Sequence, residues 1–176
     1  MQTNVLNAAM KYGLIMGLIF SVNFLLSVTG NPIISLLGYL VVAVILVLTY
    51  RFSVAYRDKE NGGTITFGHA FFFILLLFLF AAIISSLIKF IYFKYLNVEY
   101  LPQLLEQSIT VMNQMQEQFH FNIPDDYYQN MENMMNPATY TLQFIWVNVI
   151  LGVFVGLIMA PFIKKNKDIF DNTDAN

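Results

Sequence analysis

Ala70–Ile88 reads AFFFILLLFLFAAIISSLI, with no charge, no glycine and no proline. About eighteen or more apolar residues in a row, wound as a helix, are long enough to cross the roughly 30 Å hydrocarbon layer of a bilayer. A helix of a water-soluble protein keeps a polar face, and this one has none. The bilayer is therefore the solvent against which every other segment is read.

The composition agrees. The chain has 176 residues, 57% hydrophobic and only 11% charged, whereas globular chains carry about 25% charged residues. There is no cysteine, which excludes disulfides, thiol catalysis and cysteine-based metal sites and leaves redox compartment open. No basic stretch interleaved with aromatics is present, so nucleic acid is not an expected partner.

Outward from Ala70–Ile88, three more spans emerge. The segment from Ala8 to about Val28 is the first. A signal peptide is the rival reading, since Lys11 precedes an apolar run, but the run is long, lacks a convincing small-x-small cleavage site, and another span begins almost at once. Thr29-Gly30-Asn31-Pro32 is a turn, and Ile33 to about Tyr50 is the second span, so the first two form a tight hairpin. Arg51 to His69 is a short polar connection with a Gly62-Gly63 turn, and Thr66 is placed to cap the third helix. The fourth span runs from about Tyr140 to Ile163. Between the third and fourth lies 97–136, where Leu101, Leu105, Ser108, Met112, Met115 and Phe119 recur at helical spacing. Asp126 with Gln129 has the form of a capping box for a second short helix. The last residues, DIFDNTDAN, read as a frayed polar tail.

The sequence thus predicts an all-α polytopic membrane protein. It is one membrane domain over 1–176 with spans at about 8–28, 33–50, 70–93 and 140–163, and an extracytoplasmic amphipathic helical insertion at 97–136. Four spans place both termini on one side. Lys11, Arg51, Arg57, Lys59, Lys164, Lys165 and Lys167 fall there, against Lys89 and Lys94 on the other. The excess of cations assigns the first side to the cytoplasm. The insertion carries Glu99, Glu106, Glu117, Asp125, Asp126 and Glu132 and no Lys or Arg.

Helices in lipid gain from close backbone approach through small residues. Gly13, Gly17 and Ser21 are four apart in the first span, and Gly152, Gly156 and Ala160 are four apart in the fourth. Their depths match in antiparallel helices, which predicts that spans one and four touch along these ladders. Glycine is also common in membrane helices generally, and a homodimer through either ladder is a third reading.

Charges inside a span mark ion paths or proton relays, and no span interior holds one. Asn23, Gln143 and Asn148 are the strongest polar groups there, with interhelical hydrogen bonding as the first reading and a substrate path as the second. Lys89 is expected to snorkel to the outer headgroups. Met112, Met115, Met131, Met134 and His120 invite a Cu(I) reading, but they sit on apolar stripes where methionine is an ordinary filler. No metal, no cofactor and no catalytic residue is expected, since the chain holds no H-E-x-x-H, P-loop or nucleophile elbow.

The stretch Tyr56–Ala70, YRDKENGGTITFGHA, resembles the bacterial membrane-protein family known as domain of unknown function 4199. The resemblance rests on Tyr56, Arg57 and Asp58, on Gly62 and Gly63, and on the Thr-Phe-Gly start of the next span with Phe67 and Gly68. The span layout extends it over nearly the full length. It implies a bacterial inner membrane and brings no catalytic residues. Physically, Gly62-Gly63 permits a reversal and Ile65 and Phe67 could dip into the interface. The segment is first a turn setting the register of span three, and second a docking surface made by Arg57, Asp58, Lys59 and Glu60. Two functions stay open: a non-enzymatic structural or accessory subunit acting through a partner protein, and a small-solute carrier or permease, oligomeric. A polar, water-accessible cavity ringed by Asn23, Gln143 and Asn148 would favour the carrier. The lipid bilayer is the partner common to both, with a homo-oligomer or another membrane protein beside it.

Overall fold

The computed structural model describes residues 4–120 and 122–166. Lys167 and the tail that follows it lie outside them. The described chain is helical: α1 Val5–Ser27, α2 Pro32–Ala55, α3 Phe67–Ile91, α4 Tyr100–Phe119, α5 Asp125–Met134 and α6 Pro137–Ile163. Four helices, α1, α2, α3 and α6, are long and apolar enough to cross a membrane.

The helix ends follow local chemistry. The Asn4 side chain accepts from Leu6 N–H at 3.1 Å to start α1. After α1 the chain reverses through Gly30 at φ +68°, and the Asn31 side chain accepts from Ile33 N–H at 2.9 Å. Pro32 opens α2, where its missing N–H removes no helical bond. The last turn of α2 widens into a π turn over Tyr56–Glu60, with Asn61 N–H reaching back to the Tyr56 carbonyl at 2.9 Å. A second π turn, Tyr92–Leu96, ends α3.

The expected capping box at α5 does not form. Pro124 occupies the N-cap position, has no acceptor in its side chain, and starts the helix at Asp125, two residues before the box would place it. Asp126 then lies in the first turn, where a carboxylate is favoured by the helix dipole.

The chain divides into two compact units, Met1–Ser85 with Val147–Asn176, and Ser86–Trp146. In the first unit α3 is the core element. Ala70, Phe73, Ile74, Leu77 and Ala81 are fully buried, along with Ala8, Ala9 and Met16 of α1 and Ala160 and Ile163 of α6. Half of α3's most apolar stretch is enclosed, against 11% for α6. A helix without a polar face can be covered on every side, which explains why the run that decides the fold also takes its centre.

The glycine ladders close on α3 and not on each other. A Cβ built on Gly13 would stand 2.6 Å from Phe80 Cβ, and one on Gly17 would stand 2.7 Å from Ile84 Cβ and 2.9 Å from the Ala81 carbonyl oxygen. From the other side, Gly152 would meet Phe78 Cβ at 2.7 Å and Gly156 the Phe71 ring at 2.9 Å. This corrects the expected pairing of span one with span four. Matching depth made that pairing geometrically sound, but both ladders receive bulky side chains of α3, and each glycine gives the space those groups need. Ser21 and Ala160 are buried beside them. Both ladders are thus covered within one chain by side chains of α3.

In the second unit, Phe93 is buried, with its ring centroid 5.4 Å from those of Tyr100 and Tyr140. Burial, and then the neighbouring Tyr92, push the Tyr100 phenol above its ordinary pKa. Lys89 does not snorkel. Only 6% exposed, it places Nζ 3.7 Å from the centroid of the Phe144 ring, because a ring face inside the protein offers a cation what the headgroups would. The helices α4 and α5 form the expected hairpin, joined by Tyr128 OH donating to Asn113 Oδ1 at 2.8 Å. Between them His120 adopts the left-handed conformation at φ +55° and ends α4.

Candidate functional site

The densest polar arrangement in the first unit closes one end of its helices, and it is built from the stretch that carries the family resemblance. The π turn swings Tyr56 inward. It is 1% exposed, lies flat on Phe73 with centroids 4.4 Å apart, and holds His69 Nε2 at 2.8 Å through its hydroxyl. The next residue, Arg57, turns the other way. Its Nε and Nη2 donate to the two carboxylate oxygens of Asp58 at 2.7 and 3.1 Å, while Nη1 donates to the Ile163 carbonyl at 2.9 Å. That carbonyl belongs to the end of α6, where no intrahelical donor remains.

Gly62 and Gly63 take φ of +72° and +81°, a region disfavoured for residues with a Cβ. The Gly63 N–H donates to the Arg57 carbonyl at 2.8 Å, and Asn61 Nδ2 donates to the Thr64 carbonyl at 2.6 Å. The chain then runs extended for one residue. Ile65 pairs antiparallel with Lys165 through two backbone bonds of 2.9 and 3.0 Å. Ile65 is 3% exposed and belongs to the core, so it does not dip into the interface as expected. The antiparallel bridge turns its side chain inward. Phe67 remains exposed and stacks on Phe71. Thr66 caps α3 as expected, its hydroxyl accepting from His69 N–H at 3.3 Å, and Gly68 faces open space.

Glu60, at the end of the π turn, reaches α1. It accepts from Tyr12 OH at 3.0 Å and pairs with Lys11 Nζ at 3.5 Å. The structure therefore splits the expected charged docking surface. Arg57 and Glu60 face the protein with side chains 15% and 13% exposed, whereas Asp58 and Lys59 stay outside. Tyr12, His69, Ile65 and Lys165 complete the closure. His69 and Ile65 lie inside the Tyr56–Ala70 stretch, whereas Tyr12 and Lys165 join it across long sequence separations, which no local pattern encodes.

The polar groups expected inside the spans separate as well. Asn23 of α1 faces Gly38 of α2, and its Oδ1 is buried with no hydrogen-bond partner among the described residues. Asn148 lies in the first unit and is partnered, while Gln143 lies in the second. Among the described residues no group of three or more His, Asp or Glu side chains could hold a metal ion. Met112, Met115 and Met131 line one groove with Leu104, Val111 and Tyr127 between α4 and α5.

Four apolar helices, α3 among them, with a polar clasp closing one end of the first unit, define a multi-pass membrane protein. The chain belongs to the family described as "Protein of unknown function (DUF4199)", which matches residues 11–165. No curated protein and no solved structure matches the chain.

Proposed function

We propose that this protein is a non-enzymatic accessory subunit of a bacterial inner membrane, acting through a partner protein, with both termini in the cytoplasm and the α4–α5 hairpin outside. The hairpin carries the proposal. Val111, Met115 and Phe119 stand one turn apart on α4 and are 52, 47 and 66% exposed. They lie in a segment with no Lys or Arg, so an anionic lipid surface is the poorest cover for them. Exposed apolar side chains rimmed by polar ones mark contact with a protein, a membrane or a ligand, and the missing cations favour the protein among these. The test is affinity purification in mild detergent. A protein that co-purifies with the native chain and is lost from a Val111→Ser, Met115→Ser, Phe119→Ser variant supports the proposal. Identical co-purification from both chains overturns it.

One observation favours a carrier instead. Asn23 Oδ1, buried and unpartnered between α1 and α2, is where a solute or water would be held. The chain has no cysteine, so an Asn23→Cys variant can be challenged with a water-soluble thiol reagent on a clean background. Rapid labelling in the membrane supports the carrier, and protection supports the accessory role.

A further inference from the structure

The cytoplasmic-type end of α2 carries a groove of about 460 Å³ lined by Tyr50, Arg51, Val54, Ala55, Asp58 and Lys59. We propose that this groove binds an anionic phospholipid, with its phosphate between Arg51 and Lys59 and an acyl chain along α2.

The acyl track comes from helical register. Leu40, Val44, Val47 and Arg51 are spaced by four, three and four residues, so they share one face of α2. The three apolar ones are 64, 48 and 56% exposed. That face therefore passes from open hydrocarbon contact to a cation within one helical turn, the same change a phospholipid makes from chain to headgroup. Tyr50, 44% exposed, stands at the boundary, where amphipathic rings collect.

The charge comes from how the carboxylate is neutralised. Asp58 is the acidic member of the lining, and both of its oxygens are taken by Arg57. Arg51 and Lys59 have no ion pair among the described residues. The groove thus presents two unmatched cations above the apolar floor of Val54 and Ala55. Basic pockets beside spans recognise phosphate headgroups in this way, at about a factor of five in affinity per Lys or Arg.

The full-length protein in neutral detergent, titrated with phosphatidylglycerol, phosphatidylcholine or inorganic phosphate and followed by native mass spectrometry, tests this. Phosphatidylglycerol is expected to be retained preferentially over phosphatidylcholine. An Arg51→Gln, Lys59→Gln variant should weaken retention roughly thirty-fold, while Lys164→Gln, outside the groove, should not. An Arg51→Lys, Lys59→Arg variant keeps both charges and should retain the lipid, which separates a lost site from a lost fold. Equal retention of the two lipids, undiminished binding by the Gln variant or loss in the charge-preserving variant overturns the proposal. Displacement by inorganic phosphate at comparable concentration assigns the site to a soluble phosphate and overturns the lipid.

Discussion

Tyr56 lies 4° from parallel on Phe73 while its hydroxyl meets His69 Nε2 at 2.8 Å. One side chain from the end of α2 therefore holds two residues one turn apart on α3, one by its ring and one by its oxygen. The two contacts separate under substitution. Tyr56→Phe keeps the stack and loses the hydrogen bond, at a cost of about 1 kcal/mol. Tyr56→Ala removes a fully buried ring and should cost about 3–5 kcal/mol. Thermal unfolding in detergent compares them. Equal losses would mean that the hydroxyl, and not the ring, fastens α2 to α3.

The glycines of α1 and α6 are predicted to matter by position and not as a class. Gly17→Ala sets a methyl group 2.9 Å from the Ala81 carbonyl oxygen. That atom is backbone and cannot turn aside, so α1 and α3 must part, costing about 1–3 kcal/mol. Gly68, also in α3, meets nothing within 4 Å. Gly68→Ala should be neutral or stabilise by up to about 1 kcal/mol through helix propensity. Matched unfolding curves check the pair, and similar losses at both sites would refute the packing of Gly17 on α3.

How far the sequence carried these conclusions depends on the range of the interaction. The spans were legible because hydrocarbon thickness sets helix length directly, and Ala70–Ile88 meets that length with no polar interruption. The turns were legible because Asn31-Pro32, Gly62-Gly63 and Thr66 act within a few residues. Partners across the bundle were not. Gly13, Gly17, Gly152 and Gly156 announced close approach but not to what, since an all-apolar α3 shows no preferred face in its sequence. Lys89 at the edge of a span reads as a snorkelling cation until Phe144, far along the chain, supplies a ring for it. The clasp was half legible: Tyr56–Gly68 stood out as a motif, but Tyr12 and Lys165 reach it only through the fold.

The reversal at Gly62-Gly63 should tolerate side chains poorly even though nothing crowds it. Both residues have open space for a Cβ, so any loss on substitution comes from backbone conformation alone. Alanine at either position should cost about 1–2 kcal/mol, and asparagine less, because its short side chain tolerates the left-handed region. The order Gly, Asn, Ala in unfolding temperature at each position checks this. An alanine variant as stable as the native chain would show that the turn can take another form.

Arg57 distinguishes a structural clasp from a charged docking surface. Its guanidinium holds both oxygens of Asp58 and the Ile163 carbonyl at once, a task for a planar fork with several donors. Lysine keeps the charge but cannot make the three bonds together. It leaves a carbonyl at the end of α6 without its donor, so Arg57→Lys should cost about 1–2 kcal/mol. Were Arg57 present to attract a partner by charge, the lysine variant would be as stable as the native chain and would bind that partner equally well. Unfolding measurements on Arg57→Lys and Arg57→Gln decide the matter. If geometry rules, both fall by similar amounts. If charge rules, only the glutamine variant changes.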